Sequence, residues 1–290
     1  MLCTICPRRC KAERDETHGG GVCGMPAVPY AARAALHRWE EPCISGTRGA
    51  GTVFFSGCNL GCVFCQNEKI SHENFGTPVS TEKLCAIFDA LHAQGAHNID
   101  LVSPTQFTPW VLQALRQWGH KLPIVWNSGG YELAETLRTL SGEVDVYLPD
   151  LKYALPAPAR EFSHAEDYFP AACEAIGEMF RQVGPCRFDE TGLLTRGVVI
   201  RHLMLPGQLP NTRAVIDWVA GRFAPGEVLF SLMRQYTPQP NAQGVLARRV
   251  TGAEYRAATA YMAACGLEGY TQEANSAEAA YTPAFDLTGV

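Results

Sequence analysis

The sequence predicts an α/β protein whose main body is a partial parallel (β/α)6 barrel, preceded by a small cysteine-rich segment. From residue 51 onward, six short β-branched or apolar runs alternate with helix-like stretches. Such alternation is typical of parallel strands joined by right-handed crossovers, and six units make a partial barrel. We therefore divide the chain into a cysteine-rich, metal-binding segment with a lead-in loop (1–50), the barrel (51–236), and a C-terminal helix and tail that pack on the barrel (237–290).

The composition is that of a globular protein, and we expect a cytoplasmic one. Hydrophobic residues make up 47% and charged residues 18% of the 290 positions, which suffices for a full core. No window reaches the roughly 18 apolar residues of a membrane span, and the N-terminus lacks the apolar region of a signal peptide. A net charge of −5 gives no general attraction to phosphate backbones. We therefore expect neither membrane nor nucleic acid as a partner.

Four cysteines near the N-terminus have a spacing that suits one closed metal site: Cys3, Cys6, Cys10 and Cys23. Zinc and a second iron-sulfur cluster both accept four thiolates, and the sequence does not choose between them. A structural role is favoured, because four protein ligands leave no open position. Further along, Cys43 is a candidate catalytic residue as a hydrogen donor, or a further metal ligand, although a buried loop cysteine is the commoner case.

The barrel elements follow from apolar periodicity and capping residues. A cap-like Ser80 precedes a stretch with Leu84, Ile87, Phe88 and Leu91 on one face, which predicts a helix. The other predicted helices are residues 108–118, 131–140, 165–183, 211–223 and, after the barrel, 251–265. The predicted strands are residues 52–55, 98–102, 123–126, 144–148, 197–203 and 228–232.

The first strand leads into three closely spaced cysteines, at the barrel end where active sites lie. Cys58, Cys62 and Cys65 are separated by three and two residues. In a loop this spacing can place three thiolates on one side of a 4Fe-4S cluster, so that a fourth iron stays open to a small ligand. A zinc or electron-transfer site is the alternative. A closed site would require a fourth cysteine nearby, whereas the next one, Cys85, lies in a predicted helix.

Polar side chains follow the later strands and nominate further site residues. Alternation along the fourth strand puts Asp150 and Lys152 on the same side, where they suit a zwitterionic ligand, with a plain ion pair as the alternative. Arg201 lies in an otherwise apolar strand and therefore needs an anionic partner, for which the carboxylate of a bound cofactor would serve. The loops after the second and third strands add Ser103, Thr105, Asn127 and Ser128.

These motifs resemble the radical S-adenosylmethionine (SAM) superfamily, in particular the group related to pyruvate formate-lyase activating enzyme. The similarity covers almost the whole chain, from the N-terminal cysteines through residues 41–46, 57–67, 95–98, 147–152, 201–207 and 235–238. It implies that Cys58, Cys62 and Cys65 hold a 4Fe-4S cluster whose open iron chelates SAM. Reductive cleavage of SAM then yields a 5′-deoxyadenosyl radical.

The resemblance also implies which residues bind SAM. Asp150, Lys152 and Arg201 match positions that hold SAM in the activating enzymes. Asn127 and Ser128 stand where those enzymes have Asp-Thr, which puts binding of a monovalent cation there in doubt.

A more important departure from the superfamily pattern lies after the second strand. The usual Gly-Gly-Glu, which binds the SAM amino group, is absent from residues 103–106. Ser103 or Thr105 is expected to replace it through a hydroxyl or a backbone carbonyl. Phe64, the aromatic residue before the last cluster cysteine, completes the expected SAM site.

The implied activity is reductive cleavage of SAM followed by hydrogen abstraction from a second substrate, with activation of a glycyl-radical enzyme as one candidate. Its partners would be an electron donor such as flavodoxin or ferredoxin and, for activation, a protein substrate. The alternatives are radical modification of a small molecule or peptide, or a non-catalytic iron-sulfur electron-transfer module. The same SAM site serves the first two reactions, so the sequence does not identify the substrate.

Overall fold

The computed structural model describes residues 2–273 and 283–290, and its centre is one sheet of ten strands. The strands are β1 (Tyr30–His37), β2 (Ala50–Phe55), β3 (Thr77–Pro78), β4 (Ile99–Val102), β5 (Ile124–Ser128), β6 (Val146–Pro149), β7 (Arg187–Phe188), β8 (Leu194–Leu203), β9 (Leu229–Met233) and β10 (Gly269–Thr271). They lie side by side in the order β10-β9-β8-β6-β5-β4-β2-β1-β3, and β7 pairs with β8. The neighbouring strands β2, β4, β5, β6, β8 and β9 are parallel to one another. This confirms the predicted α/β fold with an open, mostly parallel barrel sheet.

Helices follow the parallel strands as the apolar periodicity predicts. They are α1 (Pro42–Ser45), α2 (Glu68–Ser71), α3 (Thr81–Ala93), α4 (Thr108–Trp118), α5 (Ala134–Arg138), α6 (Pro156–Ser163), α7 (Tyr168–Val183), α8 (Leu209–Arg222) and α9 (Gly252–Ala264). The Ser80 side chain caps α3 by accepting a hydrogen bond from the Lys83 N–H at 3.2 Å. The predicted apolar face of α3 is buried, so this helix lies where its periodicity requires.

Four strands, β1, β3, β7 and β10, were not predicted from the sequence, and β1 is the longest of them. Residues 30–37 are rich in alanine, which favours helix, yet they form β1 because they pair antiparallel with β2. The short helix α1 also belongs to the barrel, since Ile44 packs with inward-facing strand residues. Both elements lie within the first fifty residues, so this part of the chain contains elements of the barrel as well as the cysteine-rich segment.

The inside of the barrel has an apolar lower layer and a polar upper layer. Side chains alternate across a strand, so every second residue points inward. The lower layer contains Val125, Val146, Val199 and Leu229, which pack with Ile44 of α1. The upper layer, towards the carboxyl ends of the strands, contains Thr52, Asp100, Asn127, Asp150, Arg201 and Ser231.

The C-terminal part of the chain contacts both ends of the open sheet. The strand β10 adds in parallel beside β9. At the other end, the Leu287 N–H donates to the Ala32 carbonyl at 3.0 Å, and Phe285 packs edge-on against Phe54 at 5.5 Å between ring centroids. The predicted aromatic tail thus packs on the barrel through these residues, while residues 274–282 of it lie outside the described part. Among the helices described, none has the length and apolar character needed to cross a membrane.

Candidate active site at the carboxyl ends of the strands

A cavity of about 570 Å³ opens at the carboxyl ends of the parallel strands. Its walls are inward-facing residues of the upper barrel layer, two of the three loop cysteines, and the segment before α1. The residues that matter below are Glu40, Glu41, Cys62, Phe64, Cys65, Asn127, Asp150, Lys152 and Arg201. This volume is that of a small-molecule or cofactor site.

The three loop cysteines accept hydrogen bonds through their sulfur atoms. The Ser163 hydroxyl lies 2.9 Å from the Cys62 sulfur, and the Ser71 hydroxyl lies 3.2 Å from the Cys65 sulfur. The Cys58 sulfur accepts a backbone N–H at 3.4 Å. Donors of this kind stabilise thiolates and tune the metal that they ligate.

Burial makes Cys62 and Cys65 poor thiolates unless a cation binds them. It raises the pKa of Cys62 to about 12, against which the nearby Lys152 charge acts only in part, and it also raises the pKa of Cys65. A metal that takes these sulfurs must displace their protons. Three thiols, each with a hydrogen-bond donor at its sulfur, are a donor set that fits an iron-sulfur cluster.

No three His, Cys, Asp or Glu side chains in the described residues stand close enough to hold a single metal ion. The thiolates of a cluster each bind a different iron, so a cluster does not need that spacing.

Asp150 and Lys152 lie side by side at the end of β6. The Lys152 ammonium donates to one Asp150 oxygen, and the Arg201 Nε donates to the other at 3.0 Å. Burial alone would raise the pKa of Asp150, but the charges of Lys152 and Arg201 outweigh it and hold this pKa below its usual value. Asp150 is therefore ionised and joins two cations at the cavity wall.

Arg201 has its anionic partners within the chain. Besides Asp150, its guanidinium donates to Glu40 at 3.1 Å and to the Asn127 carbonyl oxygen at 2.6 Å. Two carboxylates of the chain itself, those of Glu40 and Asp150, thus face Arg201. Glu40 was not predicted as a site residue, because it lies in an irregular segment where neither periodicity nor a motif marks it.

Comparison with known proteins places these residues in a known fold. The family described as "4Fe-4S single cluster domain" matches residues 45–154, which include Cys58, Cys62 and Cys65. A radical SAM methyltransferase from Sphaerobacter thermophilus superposes with a TM-score of 0.54 at 16% identity, over 77% of this chain. The chain has the radical SAM fold. The resemblance predicted from the sequence is thereby confirmed at the level of the fold.

Two further proteins are similar to this chain. An uncharacterized protein of Methanocaldococcus jannaschii is 28% identical over 252 residues, which are 83% of this chain and 68% of the archaeal protein. A domain of pyruvate-formate lyase-activating enzyme from Bacteroides vulgatus aligns over 57% of this chain and 91% of that domain, but its 11% identity and TM-score of 0.39 carry no weight. The chain spans 66% of the methyltransferase, slightly less than two thirds of that protein.

Two side chains that were predicted to contact SAM, those of Thr105 and Ser128, point away from the cavity. The Thr105 hydroxyl donates to Glu132 at 2.9 Å, and the Ser128 hydroxyl donates to the same carboxylate. Trp126 donates to it as well, at 3.0 Å, and burial raises the pKa of Glu132. Both hydroxyls thus serve a buried network and are absent from the cavity wall, which is not where the prediction needs them.

Ser103 and Gln106 shape the loop that replaces Gly-Gly-Glu. Ser103 has a left-handed backbone with φ of 56°, and its carbonyl accepts from the Gln106 amide at 2.9 Å. The same amide nitrogen lies 2.8 Å from the Ser56 carbonyl and 3.0 Å from the Gly57 carbonyl. Gln106 therefore ties the loop after β4 to the start of the cysteine loop, a role that the sequence did not reveal.

The remaining predicted residues divide between the cavity and the interior. Phe64 lines the cavity and packs edge-on against Tyr236, with ring centroids 6.4 Å apart. Cys43, the candidate hydrogen donor, is 2% exposed in α1 and is absent from the cavity wall, although its neighbours Glu41 and Pro42 line it. Burial raises the pKa of the Cys43 thiol to about 12.

Proposed function

We propose that this chain is a radical SAM enzyme that cleaves SAM reductively at a 4Fe-4S cluster held by Cys58, Cys62 and Cys65. The observation that carries the proposal is that Cys62, Cys65, Asp150 and Lys152 line one cavity at the carboxyl ends of the strands. When bound, the cluster supplies the electron that converts SAM into methionine and a 5′-deoxyadenosyl radical, which abstracts hydrogen from a second substrate.

The chain's own residues would bind and orient SAM. Asp150 and Lys152 present opposite charges beside the cysteine loop, which complements the amino and carboxylate groups of the cofactor. Phe64 supplies an apolar wall that is 6% exposed and keeps water from the space next to the sulfurs. Arg201 is held rigidly by Glu40 and Asp150, so its charge is fixed in place before any ligand enters.

For the second substrate we propose a segment that enters from outside, with a backbone glycine of a partner protein as one target. The cavity reaches the surface at Trp39, which is 63% exposed, so it is open to a chain segment as well as to a small molecule or peptide. A flavodoxin or ferredoxin would supply the electron. These site residues bear on the cleavage of SAM and not on the second substrate, so a protein segment, a small molecule and a peptide remain alternatives.

The test is detection of 5′-deoxyadenosine. Anaerobically reconstituted protein with dithionite and SAM should release it, and SAM should perturb the electron paramagnetic resonance (EPR) signal of the reduced cluster. Cys62→Ala should abolish both results, whereas Cys85→Ser, on the outer helix α3, should leave them unchanged. An intact reduced cluster that yields no 5′-deoxyadenosine would contradict the proposal and favour a non-catalytic electron-transfer module.

A further inference from the structure

The segment that carries Lys152 has no regular structure, yet its backbone is bonded to other elements. Residues 151–155 lie between β6 and α6 and belong to neither. Their backbone N–H and C=O groups therefore need partners outside a helix or a strand ladder. The Leu151 N–H donates to the Arg201 carbonyl at 2.7 Å, and a ring nitrogen of His202 lies 2.7 Å from the Leu151 carbonyl. The same need applies to the backbone of Lys152, whose side chain lines the cavity.

Tyr168 binds the backbone N–H of Lys152. Its hydroxyl accepts a hydrogen bond from this N–H at 2.9 Å, and it lies 2.7 Å from the Asp150 carbonyl and 2.9 Å from the Gly129 carbonyl. A hydroxyl has one proton, which it donates to one of these carbonyls or shares between them. Tyr168 is completely buried at the start of α7. A single hydroxyl thus joins the end of β6 to the loop that follows β5.

Asn211 binds the backbone C=O of the same lysine. Its amide nitrogen donates to the Lys152 carbonyl at 3.0 Å. Its amide oxygen accepts from the N–H groups of Ala154 at 3.0 Å and Leu155 at 3.1 Å, so both ends of the amide have partners. Asn211 is 3% exposed in the first turn of α8. Buried side chains of α7 and α8 therefore hold both backbone groups of Lys152.

The surroundings of Tyr168 fix the position of its ring. The ring stacks on Tyr131, with centroids 6.0 Å apart, and meets Tyr153 edge-on at 5.3 Å. Gly130 lies beside the hydroxyl with a φ of 75°, and a Cβ at this position would overlap the Asp150 carbonyl oxygen. The loop needs glycine here, because a side chain would push the loop away from the hydroxyl.

A fixed backbone limits where the Lys152 ammonium can lie. The ammonium donates to Asp150, and the Lys152 Cε lies close to Gly129, 3.7 Å from where a Cβ would stand. Burial alone would lower the pKa of Lys152, but the Asp150 charge outweighs it and raises this pKa, so the lysine stays charged. A lysine has a flexible four-carbon stem, so the place of its charge depends on how firmly its backbone is held.

We propose that Tyr168 and Asn211 are positioning residues that hold the Lys152 backbone, so that the ammonium of Lys152 and the carboxylate of Asp150 are arranged for SAM before it binds. Neither Tyr168 nor Asn211 lines the cavity, so both act through Lys152. A charged pair that is already ordered lowers the cost of ordering it when a ligand binds. The holding of the segment is independent of the proposed function, whereas its effect on SAM rests on that function.

Tyr168→Phe tests the role, with Tyr147→Phe as the matched control. The phenylalanine ring can keep the aromatic contacts and removes only the hydroxyl. Tyr147 is also completely buried, and its hydroxyl donates to the Gln182 side chain at 2.6 Å. It does not line the cavity, so this control loses a buried hydroxyl without touching residues 150–152.

Backbone hydrogen exchange of the full chain without SAM tests the holding of the segment. In Tyr168→Phe the Lys152 N–H loses its acceptor, so the stretch 151–155 should exchange about tenfold faster than in Tyr147→Phe. This measurement needs neither SAM nor its cleavage.

SAM titration of the reconstituted proteins tests the effect on the cofactor. Tyr168→Phe should bind SAM about five- to tenfold more weakly than Tyr147→Phe. Its reduced cluster should give the wild-type EPR signal before SAM is added, which shows that the weaker binding does not come from a damaged cluster.

Asn211→Asp is the second variant, in case Tyr168→Phe folds poorly. It keeps the oxygen that faces Ala154 and Leu155 but loses the donor to the Lys152 carbonyl, so it should weaken SAM binding in the same direction. Asn98→Asp is its control, because the buried Asn98 amide donates to the Ile44 carbonyl at 2.8 Å, just before β4. Asn98→Asp should leave the affinity for SAM unchanged.

The outcomes separate the two proposals. If Tyr168→Phe matches Tyr147→Phe in either the exchange or the SAM titration, the positioning role is overturned. A wild type that binds no SAM would instead contradict the proposed function, and the exchange measurement would still decide whether Tyr168 holds the segment.

Discussion

Arg201 is the residue that neutralises the polar layer inside the barrel. It lies among Glu40, Asp150 and the more distant Glu41 and Asp100, and it stays charged because their charges outweigh the cost of burial. Removing one partner of such a buried group leaves the opposite charges uncompensated, which costs about 3–5 kcal/mol. We therefore expect Arg201→Gln to lower the free energy of unfolding by that amount near neutral pH.

The loss should depend on pH in a known direction. Burial already raises the pKa of Glu40 and Glu41, and the Arg201 charge opposes that rise and helps to hold the pKa of Asp150 down. Without Arg201 the pKa of all three carboxyl groups should rise, so the penalty is present at neutral pH and shrinks as pH falls. Denaturant titrations of Arg201→Gln at about pH 7 and about pH 5 measure this. Arg116→Gln, whose side chain is 59% exposed in its pair with Glu143, is the control and should cost less than about 1 kcal/mol. Equal losses in the two variants would refute the role of Arg201.

His202, next in the chain, makes the fold sensitive to acid. It is 1% exposed, and its ring nitrogens lie 2.7 Å from the Leu151 carbonyl and 3.0 Å from the Thr212 hydroxyl. Burial lowers the pKa of His202 to about 4, with smaller opposing effects from the Leu151 carbonyl and from Asp150. An unfolded histidine titrates near 6.5, so the unfolded state binds the proton first and stability falls as pH drops from about 6.5 to about 4.

We expect this group to contribute roughly 3 kcal/mol to stability above pH 6.5 that is lost on acidification. His202→Gln should flatten the dependence of unfolding free energy on pH across that window, even if it is less stable at neutral pH. His92→Gln, on the exposed side of α3, should keep the wild-type slope. A wild-type slope in His202→Gln would show that other groups control the acid response.

At the scale of elements, the repeating units were predictable and the parts that join them were not. The helix α4 has the predicted bounds, because its apolar face has a helical period and Pro109 and Gly119 mark its ends. The strand β1 was not found, since its alanines favour helix locally and only pairing with β2 makes them a strand. Glu40 lies in the irregular segment between β1 and α1, where no periodicity marks the side chain that faces Arg201.

The same limit applies to the side chains of the site. Alternation put Asp150 beside Lys152, and the two side chains form an ion pair although both lie just past the end of β6 at Pro149. The hydroxyls of Thr105 and Ser128 look like ligand contacts in sequence, yet both donate to Glu132, whose position depends on tertiary packing. The sequence shows that hydroxyl side chains stand at these positions, but tertiary packing decides which way the hydroxyl groups point.

The loops after β2 and β4 are held together through one amide. Gln106 is 4% exposed, and its nitrogen faces three carbonyl oxygens. In Gln106→Glu a carboxylate would face those oxygens with no proton to donate, and an unpaired buried charge is strongly unfavourable. We expect this variant to lose at least about 3 kcal/mol of unfolding free energy at neutral pH and to bind less cluster iron on reconstitution.

Gln113→Glu is the matched control, because it is the same substitution on the exposed face of α4. It should cost less than about 0.5 kcal/mol and leave the cluster content unchanged. A Gln106→Glu variant as stable as this control would mean that the amide contacts do not hold the two loops.

At the scale of the whole molecule, segments near both ends of the chain contact parts of the proposed site. The cysteine-rich segment packs beneath the cluster loop through Arg8, while Phe285 from the C-terminus packs on Phe54 at the mouth of the barrel. Phe54 lines the cavity. Segments distant in sequence therefore contribute to the loop and the wall of the proposed site.

Phe285→Ala tests the C-terminal half of this arrangement. The ring is 7% exposed, so its removal should lower the free energy of unfolding by about 3 kcal/mol through lost burial and an unfilled space. It should also weaken SAM binding, since Phe54 loses the ring that supports it at the cavity wall. Phe188→Ala is the matched control, because that ring is 48% exposed on β7 and should cost less than about 0.5 kcal/mol. Equilibrium unfolding and SAM titration of the reconstituted proteins measure both effects, and a Phe285→Ala protein with wild-type SAM affinity would place the C-terminus outside the site.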